Sequence, residues 1–124
     1  MAAIRLAGTV DALFVNNDNT ALAAFEAVVQ AGLRHSIPVF VSDTDMLDRG
    51  ALAALGPNQY EIGKQAGNQV ARLLMGEKIS SITVEFPQKI ELHLNEDIAK
   101  SLNIKIPERI KKRAKRVVKT DKKY

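Results

Sequence analysis

Val10-Asp11-Ala12-Leu13-Phe14-Val15-Asn16-Asn17-Asp18-Asn19-Thr20 is the stretch whose reading decides the fold. Its first six residues form a short apolar run rich in strand formers, and a polar turn follows at once. The period then changes: Leu22, Phe25, Val29 and Leu33 recur at helical spacing, with Glu26, Gln30 and Arg34 on the other side. Asn19 or Thr20 is a natural N-cap for that helix, because a side-chain oxygen there accepts a backbone N–H that has no partner within the helix. Pro38 ends the stretch. Residues 10–35 therefore read as strand, polar turn, helix.

The unit repeats downstream. Pro38 to Ser42 reads as a second buried strand, followed by Asp43-Thr44-Asp45 and a short helical turn. Ala51 to Leu55 fits strand or helix by period alone, and the break at Gly56-Pro57 after five residues favours a strand. A helix is expected over about 59–75, with Ile62, Ala66, Val70, Leu73 and Leu74 on its apolar face and Gly76 just past its end. Gly63 and Gly67 lower its intrinsic propensity and suit a helix backbone that lies close to a sheet or to another helix. Ile82 to Phe86 and Ile90 to Leu94 look strand-like, Asn95 caps a short helix, and a last helix is expected over about 108–118. Strands alternating with helices through tight turns imply a mainly parallel sheet between helix layers, an α/β three-layer sandwich.

In such sheets ligands bind at the carboxyl ends of the strands. The polar residues gather there: Asn16 to Thr20, then Ser42 to Asp45, then Asn58 to Tyr60. Asp18 and Asp43 could together hold a ligand ammonium, act as an acid–base pair or bind a metal. Equally, each could merely cap the helical turn that follows it. Asn17 and Asn19 add neutral donors and acceptors, which suit a zwitterion or a sugar better than bond-breaking chemistry. Ser42 and Thr44 have no base nearby in sequence, and His35 and His93 have no partner at metal-ligand spacing. Glycine loops for nucleotides are absent. No catalytic residue, cofactor or metal is expected.

Composition bounds the rest. The chain has 124 residues, 46% apolar and 26% charged, with aromatics at 5% and no cysteine. That is enough for one domain with a core of Ala, Val, Ile and Leu, and it excludes disulfides and thiolate metal sites. The net charge of +4 is uneven: residues 109–124 hold nine of the 18 basic residues and one of the 14 acids. The expected organisation is a lobe over 1–108 and a basic helix end and tail over 109–124. Ile110, Ala114, Val117 and Val118 recur at helical spacing within that tail, and no aromatic is interleaved before Tyr124. A solvated amphipathic helix thus fits better than a nucleic-acid surface. Met1 to Val10 does not read as a signal peptide, so a chain taken as complete would stay in the cytoplasm.

Taken together, several segments are similar to one family. Val10 to Thr20, Pro38 to Asp43, Arg49 to Gly56, Tyr60 to Gly67, Leu73 to Lys78 and Ile106 to Glu108 resemble, in order and spacing, stretches of ABC transporter substrate-binding proteins of the tryptophan/tyrosine type. The resemblance implies the carboxyl-terminal lobe of a type I periplasmic-binding fold, whose two lobes close on a small ligand, in several relatives an aromatic amino acid. It implies that Asp18, Asn19 and Asp43 face that ligand; Asn17 and Ser42 join them as ligand-binding candidates from their place in the same strand-end turns. A carboxylate there would hold the α-ammonium, and Asn19 would fix orientation. It further implies no catalysis, an extracytoplasmic location, and an ABC permease as partner. The amino-terminal lobe is missing from the resemblance, so that lobe or a homo-oligomer is expected to cover an apolar patch over residues 90–118. The competing expectations are a truncated, self-associating interaction module with a basic tail, and a flavodoxin-like enzyme or receiver domain, which would want a lysine that this chain does not offer.

Overall fold

The computed structural model describes residues 2–16, 19 and 23–119. The chain folds as two compact units, one of Met1–Gly56 with Glu91–Tyr124 and one of Pro57–Ile90. A five-stranded sheet is built from β1 (Leu13–Val15), β2 (Val39–Val41), β3 (Ala53–Pro57), β4 (Ile90–Asn95) and β5 (Arg116–Val118), and its strands lie side by side in sequence order. β1 with β2, β2 with β3, and β4 with β5 are parallel, in registers that include Leu13 with Val39 and Leu94 with Val117. The α/β class and the mainly parallel sheet follow from these pairings.

Within the first unit the sheet has two unlike faces, as side chains two apart point the same way. On one face Leu13, Val15, Val39, Val41 and Ala54 are buried against Phe25 and Val29 of helix α2 (Phe25–Arg34), with Leu47 sealing the core. Helix α1 (Ala2–Leu6), which the sequence pattern did not reveal, adds Ala3 to the same cluster. On the other face Phe40, Ala53 and Leu94 pack with Ala99 of α4 (Glu96–Ser101) and with Ile106, toward the β4 end of the sheet. Toward β1 that face is bare: Phe14 is 66% and Leu55 57% exposed.

Two backbone approaches hold β2, β3 and the intervening 3-10 turn (Thr44–Arg49) in place. Gly50 adopts φ 110° and lies against Val29, so a side chain there would meet the Val29 methyl at 2.6 Å. Gly56 lies against the Ser42 carbonyl so closely that no side chain fits.

The expected helix over 108–118 is replaced by a short helix α5 (Glu108–Lys111) and strand β5. Pairing with β4 outweighs the local helical period, and Lys111, Arg116 and Lys119 go into ion pairs within the fold. Arg116 grips Asp48 through both carboxylate oxygens at 3.0 Å. Lys111 and Lys119 meet the buried Glu96 at 2.9 and 3.1 Å. Lys111, then Lys119, hold the Glu96 carboxyl below its usual range, against burial that pushes it up.

The second unit departs further from expectation. Helix α3 (Gln59–Leu74) has no buried residue, and Val70 and Leu74 of its apolar face are 53% and 84% exposed. Its polar face instead holds the extended run 82–86, which belongs to no described strand. Gln65 donates to Glu85 at 2.8 Å and to the Phe86 carbonyl at 3.0 Å, and Gln69 donates to the Thr83 carbonyl at 3.3 Å. The alternation read as a strand is real, with Val84 and Phe86 turned outward, but those two side chains are covered by nothing among the described residues. The large apolar side chains with the greatest exposure lie at Phe14 and over residues 55–90, while Leu92, Ile104, Ile106 and Ile110 of the 90–118 stretch line an apolar groove with Phe14 and Leu55.

Candidate functional site

The parallel register brings the ends of β1 and β2 together. The Ser42 N–H donates to the Val15 carbonyl at 3.2 Å, and Ser42 Oγ donates to Asn16 Oδ1 at 3.2 Å. A hydroxyl and an amide from turns 26 residues apart thus meet at one rim. Asp43 is 9% exposed beside Ser42, and its Oδ1 accepts the Asp45 N–H at 2.9 Å, capping the 3-10 turn. The capping alternative for Asp43 is therefore realised through one oxygen, and Oδ2 remains for another donor.

Asn19 is helical and exposed. It does not cap α2, which opens at Phe25 after Ala24 with no capping side chain. Asn17 and Asp18 lie outside the described residues. Of the five site residues proposed from sequence, the structure places Ser42 and Asp43 at the rim and joins Ser42 to Asn16, which opens the first polar turn but was not among the five. A strand-end amide opposite a strand-end hydroxyl was the signal that could have found it. The third turn belongs to the second unit, where Asn58 caps α3 by accepting the Glu61 N–H at 3.1 Å. There Asn58, Glu61, Gln65, Glu85 and Lys89 line a polar cavity of about 340 Å³, its charges matched by the Lys89–Glu61 pair at 2.9 Å.

Among the described residues no group of three or more His, Asp or Glu could hold a metal ion, and no helix is long and apolar enough to cross a membrane. His93 Nε2 lies 3.0 Å from Glu91 Oε2 on the same strand, and His35 closes α2 with its backbone N–H.

A polar rim at the carboxyl ends of parallel strands is the geometry of an α/β ligand-binding protein. Residues 1–118 match the ABC transporter substrate-binding protein family, and the chain belongs to it. A tyrosine-binding protein of Clostridioides difficile is 29% identical over 99 residues, 80% of this chain and 29% of that protein. The fold is similar to a conserved domain protein of Vibrio cholerae, with a TM-score of 0.87 at 33% identity over 94% of this chain and 40% of that one. An ABC domain from Streptococcus pneumoniae in complex with L-Trp gives a TM-score of 0.84 at 30% identity, with the same coverage. The chain spans less than half the length of these relatives.

Proposed function

We propose that this chain supplies one side of the ligand cleft of a solute-binding component of an ABC importer, for a small zwitterion such as an aromatic amino acid. The observation that carries the reading is the Ser42–Asn16 bond with Asp43 beside it, which gathers hydroxyl, amide and carboxylate at one rim. In this reading Asp43 Oδ2 takes a proton of the ligand ammonium, Ser42 and Asn16 orient it, and Asp18, Asn17 and Asn19 contribute from the turn after β1. The tyrosine-binding and L-Trp-bound relatives support an aromatic side chain. A group that binds and releases a ligand unchanged needs no catalytic residue. The family supports an extracytoplasmic setting and an ABC permease as partner.

A cleft that encloses its ligand between two lobes has only half its contacts on one of them. The chain alone should therefore bind with a dissociation constant of about 1 mM or weaker, about −4 kcal/mol. Titration calorimetry with tryptophan, tyrosine and phenylalanine tests this, using the chain alone and mixed with the matching amino-terminal lobe of a solved relative. The mixture should tighten binding at least tenfold, and D43N should abolish the gain. Equal heats with and without the second lobe, or an unaltered D43N titration, would sink the reading.

A further inference from the structure

The turn Thr44–Arg49 after β2 is six residues of 3-10 helix. Such helices seldom run past about four residues, because their hydrogen bonds are poorly aligned, so this one depends on side chains for its hold. Asp43 caps its start through the Asp45 N–H, and the Asp43 carbonyl accepts the Met46 N–H at 3.2 Å. Leu47 is wholly buried in the core. Arg49 meets Glu26 of α2 at 3.2 Å, a single contact to a carboxylate that is 80% exposed. The other tie is of a different kind. Arg116 takes both Asp48 oxygens at 3.0 Å, the paired geometry in which a guanidinium fixes direction as well as distance.

Arg116 stands on β5, in register with His93 of β4, at the edge of the sheet opposite β1. A residue of the basic stretch 109–124 thus fastens the turn that begins at the rim. All of these residues belong to the first unit. The segment also places three acids, Asp43, Asp45 and Asp48, close together in the chain, and their mutual repulsion loosens it unless a cation offsets it.

We infer that Arg116 is a positioning residue for the ligand rim: by holding Asp48 it fixes the turn that aims the Asp43 carboxylate. The inference rests on the reading that Asp43 takes the ligand ammonium. An exposed ion pair contributes little to global stability. Here it governs the placement of one side chain, so its loss shows in affinity more than in unfolding.

The test compares R116Q, D48N and R116Q/D48N with the parent chain and with N95A, which loses a helix cap elsewhere. Amide hydrogen exchange reads the turn without ligand. In R116Q the Asp45 and Met46 amides should exchange at least tenfold faster, while the Leu52 amide, bonded to the Val39 carbonyl, keeps its rate. Tryptophan titration of the chain mixed with the amino-terminal lobe should then show about fivefold weaker binding for R116Q and for D48N. The double variant should lose no more than either single one, because the two residues act as one unit. N95A, although less stable, should bind as the parent does. Unchanged exchange in R116Q overturns the proposal, and so does parent-like tryptophan affinity in R116Q or an equal loss in N95A. Faster exchange together with an unaltered D43N titration instead overturns the ligand reading and leaves Arg116 as the fastening of the turn.

Discussion

At the residue scale, the sheet end is set by atoms that leave no room for change. Gly56 has the Ser42 carbonyl where a methyl group would be, so Gly56→Ala must push β3 off β2 at the rim. Overpacking of this kind costs about 1–3 kcal/mol. Urea unfolding should show a lower midpoint at unchanged m, and ligand heats should fall with it. Asp43 does two jobs in one side chain, a cap through Oδ1 and a free Oδ2. Its capping was legible in the sequence as one of two alternatives, because an aspartate just before a helical turn is a local pattern. Asn16 was not legible: its partner is 26 residues away, and only the register of two parallel strands makes them neighbours.

At the element scale, local signals told most where an element's ends carry their own chemistry. Asn95 was read as a helix cap from sequence, and it takes the N–H groups of Asp97 and Ile98 at 3.1 Å; Asn58, read only as part of the polar turn before the helix, caps α3 in the same way. Replacing Asn95 by Ala should cost about 1–2 kcal/mol in chemical denaturation. Local signals failed where pairing decides. Residues 108–118 carry a helical period, yet β5 forms because β4 offers a parallel edge and Asp48 and Glu96 accept the cations. Residues 82–86 alternate like a strand, yet they are held by glutamine side chains. Helix α3 carries the expected apolar stripe, but that stripe is exposed, and no period reveals that.

At the scale of the whole molecule, one buried acid ties α4, α5 and the segment after β5 together. The Glu96 carboxyl is held down by Lys111 and Lys119, so its contribution to stability is present above the unfolded value near 4.5 and is lost as pH falls through the lower folded value. Thermal unfolding from pH 7 to pH 3 should show a steeper drop for the parent chain than for E96Q, with the difference between them shrinking toward acid. Gly67→Ala should stabilise helix α3 by about 1 kcal/mol, read as a higher midpoint in urea unfolding, since the added methyl meets nothing among the described residues.

The neighbour-by-neighbour layout of the sheet also bears on how the protein is made. Each strand that leaves the ribosome finds its docking edge already in place, so the sheet can widen in step with translation. Arg116 then reaches backward across 68 residues to the turn that carries Asp48. That late clasp ties the last described strand to the turn after the second, and a nascent chain cut short before Arg116 would carry the rim without its fastening.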